Sequence, residues 1–272
     1  MQQRVAAVGA ETARLLSVDF VPLARRAAGA PSSFKEKRVA EIEVKPLATP
    51  QVPVRGDREE ATRLLGVLRA LYEKDAPHQH FVTDHHSIVF GEGDPCARLM
   101  FIGEAPGAEE DKTGRPFVGK AGQLLEKMLG AMGLRREDVY ICNVLKTRPP
   151  GNATPTGKEA ELCKPYLIDQ IRIVNPEAIV TLGLPASKTV LESEASLGSL
   201  RGKFVPVAFP ASKGVLGDAG PAWERGEIPI MPTYHPAYLL RDYTPENRKK
   251  VWSDLLQVVK LLGLTPATPA SE

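Results

Sequence analysis

"LMFIGEAPGAEEDKTGRPFVGKAGQLL", residues 99 to 125, is the stretch on which the fold turns. It opens as an apolar run of strand length, breaks at Gly103, crosses a loop punctuated by Gly and Pro, and ends in a helical pattern. The same succession recurs downstream. Strand-length apolar runs stand at "RLMFIGE" (98–104), "DVYICNVLK" (138–146), "EAIVTLG" (177–183) and "IPIMPTYH" (228–235). Amphipathic helical stretches cover 119–133, 157–174 and 247–263. Strands that are apolar throughout, alternating with helices, predict an α/β fold with a mostly parallel sheet covered on both faces. Right-handed crossovers put every strand's C-terminal end on one edge, and open α/β sheets bind ligands there.

The rest of the chain frames this unit. Its 272 residues and 43% hydrophobic content suffice for one full core with chain to spare. A net charge of +2 implies no partner by itself, so a nucleic-acid surface must come from local clustering of Lys and Arg. Cys96, Cys142 and Cys163 form no C-x-x-C pair, which suggests neither a disulfide framework nor a zinc site and fits a reducing compartment. No run of 18 apolar residues occurs and the N-terminus lacks an apolar signal core, so the expected location is the cytoplasm, with no membrane partner. Residues 1–56 read as an N-terminal extension, with a short amphipathic helix over 1–25 and a Pro-rich linker over "EIEVKPLATPQVPVRGD". Residues 57–263 read as the main domain, with a helical lead-in over 57–87 and a core over 88–263; residues 264–272 read as a disordered tail. Within the lead-in, Leu64, Leu65, Leu68 and Leu71 recur at helical spacing behind the potential cap Asp57.

Residues just past the strands are therefore the ones to read for chemistry. The first strand delivers Gly103-Glu104-Ala105-Pro106-Gly107, and the second delivers Asn143 and then Lys146 and Arg148. The fourth ends at His235-Pro236-Ala237-Tyr238-Leu239-Leu240-Arg241. Taken singly, each has a plain explanation as a turn residue, a solvated carboxylate or a loop histidine. A carboxylate, an amide and an imidazole at one sheet edge point to a site.

Here "GEAPGAEEDKTGRPFVGKAGQLL", "NVLKTRPPGN" and "HPAYLLR" resemble the signature segments of the family-four uracil-DNA glycosylases, in the right order across about residues 88 to 263. The resemblance implies a three-layer α/β/α sandwich with a central four-stranded parallel sheet, in agreement with the pattern above. It also implies an enzyme of base excision repair that flips uracil out of single- or double-stranded DNA and hydrolyses its N-glycosidic bond. Glu104 and His235 take the places of the catalytic carboxylate and imidazole. His235 would donate to the developing oxyanion of the leaving base, a contribution of about 2.7–4 kcal/mol that a neutral ring can make. Glu104 would orient the attacking water, stabilise the sugar cation or hold the loop. Phe117 resembles the aromatic that stacks on the base, against a competing reading as plain core. Asn143 can read the O4/N3 edge of uracil, and the backbones of Gly103 and Ala105 can contact base or water. Lys146, Arg148 and Arg241, with Lys164, Arg201 and Lys203 behind them, are candidate phosphate contacts. Pro236, Tyr238, Leu239 and Leu240 resemble a wedge entering the duplex, although Leu239 or Leu240 could equally begin a core helix.

The chain departs from the family at its cofactor. The resemblance implies a [4Fe–4S] cluster on four cysteines, yet only Cys163 has a counterpart here. Thr147 stands in the third position, and the C-x-x-C pair falls near Ala76 and Gln79. No cluster and no other metal are expected, since His78, His80, His85 and His86 read as loop residues. The extension before residue 75 is expected to replace the staple, and "AFPASKGVLGDAGPAWERGE" (208–227) to form a loop enlarging the approach to the last strand. The expected partner is uracil-containing DNA, bound by a monomer. The alternative is a catalytically weak module on the same fold that binds uracil or damaged DNA.

Overall fold

In a computed structural model, the structure describes residues 57–267 apart from Ala222 and Glu224. Six strands form one sheet among the described residues: β1 (Glu92–Gly93), β2 (Leu99–Gly103), β3 (Tyr140–Asn143), β4 (Ala178–Leu182), β5 (Val205–Ala208) and β6 (Glu227–Thr233), in the order β1-β3-β2-β4-β6-β5. The four central strands run parallel, as expected. The two outer ones are antiparallel additions. Neither carries the apolar run that marked the others: β1 is two residues long, and β5 contains Pro206, which an edge strand tolerates.

Helices α1 (Arg58–Asp75), α2 (Ala108–Thr113), α3 (Lys120–Ala131), α4 (Gly157–Val174), α5 (Leu184–Leu191), α6 (Leu197–Leu200), α7 (Pro236–Arg241) and α8 (Pro245–Leu261) complete the described chain. In β2, Leu99 and Phe101 face one layer with Leu125, Met128, Leu129, Trp252 and Leu255 from α3 and α8. Met100 and Ile102 face the other, with Leu68 and Tyr72 from α1 and Leu167 and Ile171 from α4. Period-two alternation with both faces buried is why the strand is apolar throughout. Local signals set the helix ends. The Asp57 carboxylate accepts from Glu59 N at 2.9 Å to start α1, Thr156 and Glu159 form a reciprocal cap on α4, and Thr244 caps α8 ahead of Pro245.

From β2 the chain steps to β3 on one side and then returns to β4 on the other. The crevice at the C-terminal end of β2 is therefore the switch point of the sheet. The 208–227 segment lies elsewhere. It precedes β6 and is pinned to α4 by the buried Asp169–Arg172 pair, whose Asp169 accepts from Leu216 N and whose Arg172 donates to the Pro221 carbonyl. At the C-terminus, Leu264 N donates to Val259 O and the Leu264 side chain packs on the core. The described chain runs to residue 267; residues 268–272, like the 1–25 helix and the linker, lie outside the described residues.

Candidate active site

Register brings the first two groups together. Gly103 pairs with Asn143 across β2 and β3, and the ladder continues as Val144 N donates to Gly103 O and Leu145 N to Glu104 O. Gly103 must lack a side chain, because a Cβ there would sit 2.3 Å from Asn143 Oδ1 and 2.5 Å from Phe117 Cζ. The amide and the ring occupy the space above the glycine.

His235 follows β6, which β4 separates from β2. It reaches across because β4 ends at Leu182 and is followed by Gly183, where a Cβ would meet His235 Cβ at 3.1 Å. Asp254 of α8 holds the end of β6 by accepting from Thr233 Oγ1 at 2.7 Å, while Arg201 neutralises it. His235 Nδ1 accepts from Ala237 N at 3.1 Å, so the neutral ring carries its proton on Nε2. Burial, assisted by nearby Arg241, pushes the imidazole down to about 4, and it is uncharged at neutral pH. Its ring lies 5.5 Å from that of Phe117, centroid to centroid.

Phe117 adopts a left-handed backbone (φ 53) with 5% exposure. Its carbonyl accepts from Arg136 Nη1 at 2.8 Å; Arg136 also donates to the Pro116 carbonyl and pairs with Glu92 of β1. On the other side of the loop, Glu110 Oε1 accepts from Val118 N and Gly119 N, both at 2.8 Å, at the start of α3.

Phe117, Asn143, His235 and Glu110 line one cleft of about 340 Å³, together with Ala105, Thr154 and Arg241. Glu104 stands in its wall, and a second cleft of about 360 Å³ opens on the same carboxylate from the α4–α5 side. Burial raises the Glu104 carboxyl above the ordinary range, against the Thr154 hydroxyl and Arg241, which favour the charged form. Asn143 is 1% exposed and its Oδ1 has no hydrogen-bond partner. A buried acceptor left open in a cleft wall is a seat for a ligand donor.

The structure brings Gly103, Glu104, Ala105, Phe117, Asn143, His235 and Arg241 together, and it displaces several others. Lys146 is fully buried, with Nζ donating to Asn143 O and Gln170 Oε1, both at 2.5 Å, so it is no phosphate contact. Its position inside the turn after β3 points it at the α4 layer. Leu239 is 3% exposed within the core, whereas Leu240 beside it is exposed. Pro236 is buried as the first residue of α7. Tyr238 is half-buried against Tyr234, its hydroxyl donating to Asp242. Arg148 donates to Asn152 Oδ1 and faces Asp84, Lys164 pairs with Glu161 and Glu192, and Arg201 belongs to Asp254. Lys203 and Arg241 remain exposed, and only Arg241 borders the cleft. Glu110 and Thr154 escaped the sequence reading. Glu110 lies in a run of three acids whose inward member only a helix phase could reveal, and Thr154 lies in a loop.

The four positions of the implied cluster do not fit it. Ala76 has no donor atom, Gln79 is exposed, Thr147 offers a hydroxyl, and Cys163 is one thiol, with Tyr72 packed beside it. No group of three or more His, Cys, Asp or Glu is arranged to hold a metal among the described residues.

The molecule is an open α/β sheet whose switch-point cleft is lined by an aromatic ring, a buried amide with an open oxygen and a neutral imidazole. The model of the uracil DNA glycosylase superfamily matches residues 90–256. A type-4 uracil-DNA glycosylase of Thermotoga maritima is 45% identical over 170 residues, spanning 62% of this chain and 80% of the relative. One of Sulfurisphaera tokodaii is 42% identical over 183 residues (65% and 76%), and a type-5 enzyme of Pyrobaculum aerophilum is 32% identical over 168 residues (54% and 64%). The chain belongs to the uracil-DNA glycosylase superfamily.

Proposed function

We propose that the chain is a uracil-DNA glycosylase of base excision repair, with the catalytic unit in residues 57–263, acting as a cytoplasmic monomer on uracil-containing DNA. The observation that carries this reading is the open, buried Asn143 Oδ1 beside Phe117 and His235. Uracil offers N3–H to that oxygen and O4 to the amide N–H₂. Cytosine presents the opposite polarity and leaves both groups unpaired, which is how a fixed amide discriminates.

The flipped uracil stacks on Phe117. As the N1–C1′ bond breaks, its electron pair leaves with the base and spreads over N1 and O2, where His235 Nε2–H donates. A neutral donor is sufficient, because what it stabilises is charge that develops only during the reaction. Glu104 faces the sugar, where a cation forms at C1′. Water adds to C1′, its proton passes to the Glu104 carboxylate or to solvent, and an abasic site remains. Gly103 and Ala105 contribute backbone to the floor, while Arg241 meets phosphate. Leu240 enters the stack where the base leaves.

Excision assays on single- and double-stranded uracil oligonucleotides test this. Wild type is expected to release uracil without added metal, and His235→Ala to lose about 10²–10³ in rate. Specific binding of uracil-DNA with no release by wild type would replace the enzyme with a binding module.

A further inference from the structure

Where the family resemblance implies an iron–sulfur cluster, the structure packs an aromatic ring. Tyr72 of α1 is fully buried. Its ring stacks on His78 at 5.7 Å and meets Tyr166 and Phe90 edge-on at 5.0 and 6.2 Å. Its hydroxyl lies 3.9 Å from Cys163 Sγ, and Thr147 Oγ1 faces it without a well-formed hydrogen bond. Tyr72 therefore touches both the one surviving ligand position and the residue at the third. The 3-10 turn Pro77–His80, which spans the place of the missing pair, folds against the same ring through His78.

What the ring supports leads to the cleft. Cys163 faces the backbone N–H of Lys146. Lys146 Nζ, over the Phe90 ring at 5.6 Å, holds the Asn143 carbonyl, and Gln170 continues the network to Phe90 O at 2.8 Å. The path from Tyr72 through Cys163 and Lys146 to Asn143 is buried at every step. In such packing a displacement at one end is transmitted rather than absorbed.

We propose that Tyr72 is a positioning residue: an aromatic plug that takes over the cluster's support of the Asn143 turn and makes the folded, uracil-reading enzyme independent of iron. The activity arm of the test rests on the function proposed above, and the iron and stability arms do not.

The full chain, expressed with iron and sulfide supplied and purified without oxygen, is assayed for bound iron. Only trace iron and no visible charge-transfer absorbance are expected; stoichiometric iron bound through Cys163 overturns the proposal. Tyr72→Leu and Tyr72→Phe are then compared by thermal unfolding, excision kinetics and affinity for abasic-site DNA. Tyr72→Leu is expected to lower Tm by about 10 °C. At a temperature where it is fully folded, it should lower kcat roughly tenfold with DNA affinity unchanged. Tyr72→Phe, which keeps the ring, is expected to restore both. A Tyr72→Leu protein with wild-type Tm or wild-type kcat, or a Tyr72→Phe protein as impaired as Tyr72→Leu, refutes the plug. Were wild type inactive while iron-free and destabilised by Tyr72→Leu, the assigned activity would fail and the iron-independent plug would stand.

Discussion

Gly103→Ala tests whether the Asn143 amide and the Phe117 ring, proposed to read and stack on the base, share the floor described above. The new methyl falls 2.3 Å from Asn143 Oδ1 and 2.5 and 2.7 Å from Phe117 Cζ and Cε2. Comfortable heavy-atom separations are about 3.5–4.0 Å, so both groups must retreat by roughly 1 Å. Neither has room. Asn143 is the last residue of β3, in register with Gly103 itself, and the Phe117 carbonyl is held by Arg136. A displacement of 1 Å costs about 10²-fold in rate. Overpacking of this kind costs about 1–3 kcal/mol of stability, a fall of several degrees in Tm for a domain of this size. Single-turnover excision from a uracil oligonucleotide is expected to slow by about 10², while affinity for abasic-site DNA stays at the wild-type value, since the phosphate-facing rim is untouched. Wild-type excision by a folded Gly103→Ala protein would show that the floor is not packed as described.

Three further outcomes follow from the same geometry. His235 is held near 4 in the native state against 6.5 in the unfolded chain, so between those values the unfolded state binds more protons and stability falls as pH drops from 6.5 toward 4. That loss is at most about 3 kcal/mol; His235→Asn should flatten this part of the urea-unfolding profile, and an unchanged slope would contradict the burial of the ring. Leu239→Ala is expected to cost about 2–5 kcal/mol of stability, whereas Leu240→Ala leaves stability alone and slows excision from duplex more than from single strands. Equal effects on both substrates would remove Leu240 from the wedge. Arg136→Met frees the Pro116 and Phe117 carbonyls, so inhibition by free uracil should weaken roughly tenfold, and Arg136→Lys, lacking the planar fork, should recover little. Undiminished uracil inhibition in Arg136→Met would show that the loop holds its shape without the clamp.

What could be read in advance depended on whether a residue's role is local. The strands at 99–103, 140–143 and 178–182 and the helix at 157–174 were legible because double-sided burial and a capping box leave marks in consecutive residues. Glu104, Asn143 and His235 were legible because strand ends are where an open sheet exposes side chains. Lys146 was misread since nothing near it in sequence announces Gln170, its partner 24 positions on. Leu239 and Leu240 differ only in helix phase, and a helix of six residues gives too little periodicity to tell the core side from the solvent side. The Tyr72 plug is hidden for a related reason: an aromatic at helical spacing looks like any core residue until α4 and the turn after β3 are seen around it.

The cleft's charge distribution explains why its three polar groups are not interchangeable. Asn143 and His235 present neutral dipoles to the cleft, the second kept so by burial, and neutral groups are desolvated at lower cost than charged ones. Glu104 is the acidic group of the three, and its ionised form would place charge in the cleft wall. Burial opposes that charge, and the Thr154 hydroxyl and Arg241 counter the opposition. In the proposed reaction the Glu104 carboxylate is felt most strongly where positive charge appears, at C1′, and only once the bond is breaking. Glu104→Gln should therefore lower kcat while leaving uracil affinity intact, and Asn143→Ala should weaken uracil inhibition as well as kcat. If both variants lost uracil affinity to the same extent, the acid would belong to base recognition, and the separation of roles between sugar and base would be wrong.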